Sequence, residues 1–142
     1  MVPRVLVTLQ MAAIFVLLLP GGGRGSVLGG GGIMAAGLGW LAWAVKHNRP
    51  GNFNIRPESR AGALLITSGP YRLVRHPMYT GVLLFGVGVV VLSPTLWRMA
   101  AWLALLAVLI AKAKIEEAAL RRQFADYEAY GRGRRFLVPG VW

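Results

Sequence analysis

The chain has 142 residues, 56% of them hydrophobic and 15% charged, with a formal net charge of +11. A soluble domain carries about 25% charged residues, and here the apolar residues fall in long blocks, a pattern that argues against a water-soluble core. No cysteine is present, which excludes disulfides, thiolate metal sites and cysteine nucleophiles.

In chain order, four blocks approach the ~17–25 apolar residues that a hydrocarbon layer of ~30 Å demands of a helix. They are 5–19, 27–45, 78–96 and 99–113. The first, with Arg4, an apolar run, Pro20 and glycines, has the outline of a signal peptide. No Ala-x-Ala cleavage site follows it and further apolar blocks do, so it reads as a first span. The glycine-rich stretch 21–32 follows a membrane helix rather than a strand and lacks ordered dinucleotide spacing, so it reads as an outer connector. Its later glycines, Gly29 to Gly32, allow the second helix to approach a neighbour closely. The second span closes at the basic turn Lys46-His47-Asn48-Arg49-Pro50-Gly51.

Residues 52–79 form a polar segment that includes a short apolar run, Ala63, Leu64, Leu65 and Ile66, expected at the interface or against the bundle. Pro77 suits the first position of the third helix, and it pushes His76 toward an extended conformation. Ser93-Pro94 ends that helix, with residues 94–98 as the outer hairpin. The fourth span lacks an inner stop signal. Helix formers continue through Tyr130, predicting one long helix that Gly131 and Gly133 terminate. The tail from Arg134 to Trp142 mixes charge with apolar residues and is expected to fold back onto the membrane surface.

The fold class expected is therefore an all-α integral membrane protein of four transmembrane helices with a cytoplasmic C-terminal helical extension, in one domain over 1–142. With four spans and both termini inside, every one of the 16 Lys and Arg except Arg24 and Arg98 lies on one side. That is the positive-inside pattern. It accounts for the charge by orientation and attraction to anionic lipid, and no groove-reading module accompanies it to suggest nucleic acid. No protein partner is implied.

Chemistry is concentrated next to the inner surface, where unpaired ionisable residues are costly. One cluster is Gly69-Pro70-Tyr71-Arg72-Leu73-Val74-Arg75-His76-Pro77-Met78-Tyr79; the other is Glu116-Glu117. Taken singly, the arginines also serve as topology determinants and the tyrosines as interfacial residues. Lys112, Glu116, Leu120 and Phe124 share a helical face. Its apolar members predict that Glu116 points inward, while Glu117 forms an exposed pair with Arg121 one turn on.

GPYRLVRHPMYTG, followed by Glu-Glu-x-x-Leu-x-x-x-Phe-x-x-Tyr-x-x-Tyr, resembles the isoprenylcysteine carboxyl methyltransferase and phospholipid methyltransferase superfamily from about Asn52 onward. The resemblance implies S-adenosylmethionine as cofactor, held at the cytoplasmic membrane surface. By position it assigns cofactor contact to His76, Pro77, Met78, Tyr79, Tyr71, the run Ala63 to Ile66, and Glu116, with Arg75 beside them. Lys112 falls where relatives with a carboxylate substrate place an arginine, but lysine is a point charge rather than a bidentate fork. Ala125 replaces the glycine usual after the phenylalanine. The implied reaction is methyl transfer to a lipophilic acceptor: an isoprenoid carboxylate, a lipid amine, or a thiol or phenol. His76 is the candidate base should that acceptor be an amine. An NADPH-dependent membrane reductase, which shares Arg-His-Pro, and a non-catalytic membrane scaffold are the alternatives.

Overall fold

The computed structural model describes residues 2–48 and 65–141; residues 49–64, Ala63 and Leu64 among them, lie outside the described residues. Among the described residues the fold is helical: α1 (Val2–Leu18), α2 (Val27–His47), α3 (Pro77–Leu92), α4 (Leu96–Gln123) and α5 (Tyr127–Arg132), with a 3-10 turn at Gly69–Arg72 before α3. Helices α2 and α4 are long and apolar enough to cross a membrane, while α1 and α3 are shorter apolar helices.

Local chemistry sets the boundaries. Ser26 caps α2 by accepting from the Gly29 amide at 2.9 Å, and Thr95 caps α4 by accepting from Arg98 at 3.4 Å. Pro77 opens α3 as its spacing predicts, while His76 before it takes φ −124° and ψ 61° without a side-chain cap.

Helix α2 packs chiefly on α3 and α1 chiefly on α4. Glycine governs the first contact. A Cβ on Gly37 would stand 2.5 Å from the Phe85 nitrogen, and one on Gly30 would stand 2.6 Å from that of Leu92. The two backbones thus touch directly and antiparallel, as small residues permit. Between the other helices lies a core of Leu17, Leu83, Val89, Leu105 and Leu109. Trp102 donates to the Leu83 carbonyl at 3.0 Å and ties α4 to α3.

Arg98, expected in the outer loop, instead sits in the first turn of α4 and is buried. Its guanidinium donates to Leu19 O at 2.7 Å and Ser93 O at 3.0 Å. These carbonyls lie at the C-terminal ends of α1 and α3, where no further helical turn supplies a donor. One arginine therefore gathers three helix ends. The opposite end collects the start of α1, the end of α2, the start of α3 and the end of α4.

The long helix expected through Tyr130 does not form. It breaks at Phe124, whose backbone is extended (φ −121°, ψ 113°), and α5 restarts after Asp126. The break turns the chain back so that Tyr127 and Tyr130 are buried. The tail packs onto the bundle. The Arg75 amide donates to Arg135 O at 2.8 Å, the Arg135 amide donates to Leu73 O at 3.2 Å, and Phe136 and Leu137 enter the core. Thr80 fixes the tail by donating to Leu137 O at 2.6 Å.

Candidate functional site

At that second end, three segments distant in sequence, 75–79, 116–117 and the tail at Phe136, meet around the imidazole of His76. The turn before α3 supplies Arg75 and His76, α3 supplies Tyr79, and α4 supplies Glu116 and Glu117. His76 Nδ1 lies 3.5 Å from Glu116 Oε2, and Nε2 lies 3.3 Å from Glu117 Oε1. The Tyr79 ring is stacked parallel to the imidazole at 5.6 Å, and Phe136 meets it edge-on at 5.2 Å. Tyr79 donates its hydroxyl to Glu116 Oε2 at 3.1 Å. Trp40 of α2 donates to the Pro77 carbonyl at 2.9 Å and so fixes the start of α3.

Glu117 is the centre of the charge network. Its Oε1 accepts from Arg75 at 2.8 Å and its Oε2 from Arg121 at 3.1 Å, and Arg121 continues to Glu128 at 3.0 Å. The expected Glu117–Arg121 pair therefore forms, but its exposure does not follow. Glu117 is 5% exposed, whereas the Glu116 side chain keeps 32%. The reason is the face that α4 buries. Ala101, Leu105, Leu109 and Ala113 form a buried stripe at four-residue spacing, and the next position on it is Glu117. Leu120 and Phe124, which suggested the other face, are only half-buried.

The remaining expected residues distribute as follows. Lys112 is buried one turn before Glu116, with its ammonium 5.5 Å from the Tyr79 ring centre. Tyr71 is half-buried, and its carbonyl accepts from the Tyr130 hydroxyl at 2.9 Å. Pro77 is buried, and Met78 receives the Asn48 amide on its sulfur at 3.8 Å. Leu65 and Ile66 are half-buried and without regular structure. Sequence reasoning carries Tyr127 and Tyr130 only as members of the motif, with no role in the site, and does not single out Phe136, because the tail's return over His76 is a long-range event with no local periodicity.

Beside Glu117 opens a cleft of about 200 Å³ lined by Arg75, Arg121, Tyr127, Glu128, Gly131 and Arg132. Two buried polar atoms on residues of its lining, Tyr127 Oη and Arg75 Nε, have no hydrogen-bond partner. Burying such atoms unsatisfied is costly.

Electrostatics sharpen the picture. Burial alone would lower the His76 pKa, but hydrogen bonds and charge from Glu116 and Glu117 outweigh it and raise it above its ordinary value. Burial, with the charge of Glu116 adding, raises the Tyr71 phenol. Burial likewise raises Tyr130, to about 12, against the lowering effect of Arg134 and Arg75. An imidazolium clamped by two carboxylates therefore contributes stability that is fully present below the unfolded value of about 6.5. That contribution is lost as pH rises through the elevated folded value. Thermal unfolding in detergent should accordingly give a Tm that falls as pH rises above about 6.5. In His76→Asn, which cannot carry the charge, the fall should be largely absent.

Comparison with curated proteins and with solved structures gives no significant match. The family model for phospholipid methyltransferase, by contrast, matches residues 30–127, a span that takes in most of α2, all of α3 and α4, and the whole His76–Glu116–Glu117 cluster. On that match the chain belongs to the phospholipid methyltransferase family, within the superfamily of membrane methyltransferases whose sequence pattern it carries.

Proposed function

We propose that this chain is an integral membrane enzyme that transfers a methyl group from S-adenosylmethionine to a lipophilic acceptor at the cytoplasmic membrane face. The observation that carries the reading is the clamping of His76 between Glu116 and Glu117 beside two unpartnered buried polar atoms. The donor set suits a zwitterionic nucleoside cofactor: carboxylates for an ammonium, guanidiniums for a carboxylate, phenols for hydroxyls and an aromatic base. When bound, the cofactor supplies an electrophilic methyl group on a sulfonium.

The chain's own residues position and exclude water, which are the main requirements for a direct displacement. Glu116 uses one oxygen for both His76 and Tyr79 and keeps the more exposed carboxylate; it would accept from the cofactor ammonium. Arg75 would pair with the cofactor carboxylate. Glu117, with its oxygens engaged by Arg75, His76 and Arg121, holds these groups in place. Tyr71, Tyr79, Met78, Pro77, Leu65 and Ile66 supply the less polar walls, and Phe136 covers His76.

In this reading α1 to α4 all cross the bilayer, with both termini cytoplasmic. Apolar side chains exposed along the helices, among them Phe15 at 68%, Leu38 at 53% and Leu103 at 58%, fit contact with lipid. The short α1 and α3 are accommodated by local thinning of the bilayer.

Calorimetric titration of the purified, folded chain in detergent tests the proposal. S-adenosylmethionine should bind saturably and NADPH should not. A folded sample that binds NADPH alone, or neither compound, would overturn it.

A further inference from the structure

The C-terminal strap carries a surface that the proposed chemistry does not use. Phe136 and Leu137 are buried, and backbone bonds pin the strap: the Arg135 amide donates to Leu73 O at 3.2 Å, and Thr80 donates to Leu137 O at 2.6 Å. The next apolar residues turn outward. Val138 is exposed, Val141 is 76% exposed, and the Val141 amide donates to Val138 O at 3.2 Å, so one turn presents both. Gly140, at φ +78°, permits that turn. Leu73, to which Arg135 is bonded, is exposed as well. Arg72 and Arg135 beside it are exposed, and among the described residues neither forms an ion pair.

Position selects the partner. Thr80 lies in the first turn of α3, so the strap crosses α3 at the level where that apolar helix begins. In the membrane-spanning reading, on which this inference rests, that level is the cytoplasmic boundary of the bilayer. Apolar side chains rimmed by unpaired guanidiniums at such a depth have the make-up of an interfacial anchor. Arginine stems lie along acyl chains there while their heads reach lipid phosphates. A protein partner would have to displace the leaflet from the same surface.

We propose that Leu73, Val138 and Val141, with Arg72 and Arg135, dock on anionic lipid head groups of the inner leaflet, and that this contact holds Phe136 over His76. The Phe136 ring meets His76 edge-on at 5.2 Å, and the Arg75 guanidinium stands 5.3 Å from its centre. A strap released from the leaflet therefore loosens one wall of the site, and the charge of the surrounding lipid controls how firmly that wall is held.

The chain has no cysteine, so a single nitroxide can be attached to the full chain without background. Spin-labelled Val141→Cys in phosphatidylglycerol nanodiscs should collide with oxygen more than with a water-soluble nickel chelate. In phosphatidylcholine nanodiscs the balance should move toward nickel. Leu103→Cys, on an exposed apolar position of α4, is the bilayer control and should favour oxygen in both lipids. Amide exchange of the 134–138 peptide reads the strap itself. Its protection should be greater in phosphatidylglycerol by roughly fivefold for each arginine engaged, and Arg72→Gln with Arg135→Gln should erase the difference. Equal exchange in the two lipids, or a nickel-accessible label at 141 beside an oxygen-accessible one at 103, would overturn the anchor alone. A label at 141 shielded from both reagents would reveal a protein contact and overturn it too. A nickel-accessible label at 103 would sink the membrane-spanning reading, and the anchor with it.

Discussion

Glu117→Gln is expected to destabilise the protein and cripple cofactor binding together, while Glu116→Gln spares the fold and weakens binding alone. Glu117 is buried and neutralises Arg75, His76 and Arg121 at once. Removing one member of a buried ionic cluster leaves its partners uncompensated, a loss of roughly 3–5 kcal/mol where burial is complete. Arg121 is half in solvent, so about 3 kcal/mol is the reasonable expectation. The more exposed Glu116 carries less of the fold, and losing a charge-assisted contact to the cofactor ammonium should weaken binding by ~10–100-fold. Thermal melts and calorimetry on both variants check this. Unchanged melting in Glu117→Gln would contradict the central role given to that residue.

The second large effect concerns the seam between α2 and α3. Gly37→Leu must push apart two backbones already in contact, since even a Cβ there would meet Phe85 and Gly81 main-chain atoms at 2.5–3.0 Å. Overpacking of this kind costs about 1–3 kcal/mol, occasionally more. The damage should also reach the site, because α2 holds the start of α3 through Trp40 and the Pro77 carbonyl. Cofactor affinity should fall although no site residue is altered. Gly39→Ala, two residues on, meets nothing within 4 Å. It should be neutral or stabilising by up to about 1 kcal/mol, given the helix propensity of alanine. Melting temperatures of the two variants, with cofactor titrations beside them, measure the contrast.

The contrast between glutamates shows how far the sequence could be read. The positions of α1 to α4 follow from hydropathy, and the Pro77 start of α3 follows from proline's missing amide, because these are local properties. The convergence of His76 with Glu116 was expected only through resemblance, since nothing in spacing brings residues forty positions apart together. The burial of Glu117 was open to inspection. Continuing the stripe Ala101, Leu105, Leu109, Ala113 by one step reaches it, but the stripe through Leu120 and Phe124 competed, and its hydrophobicity was the louder signal. The break at Phe124 had no local cue, because neither glycine nor proline stands there. It forms since Tyr127, Tyr130 and Phe136 gain burial by folding back, and tertiary contact overrides helix propensity. The role of Arg98 is likewise invisible until helices are paired: it satisfies carbonyls at the ends of two other helices.

The central claim is that the pocket joining the α3 start to the α4 end and α5 holds the methyl donor. Ultraviolet cross-linking of radiolabelled S-adenosylmethionine to the purified chain, followed by peptide mapping, addresses it most directly. The account predicts label on peptides spanning Tyr71–Tyr79 and Glu116–Arg132, competed by unlabelled S-adenosylmethionine and diminished in Glu116→Gln. Label confined to α1 or to the connector before α2, or no competable label at all on folded protein, would contradict it.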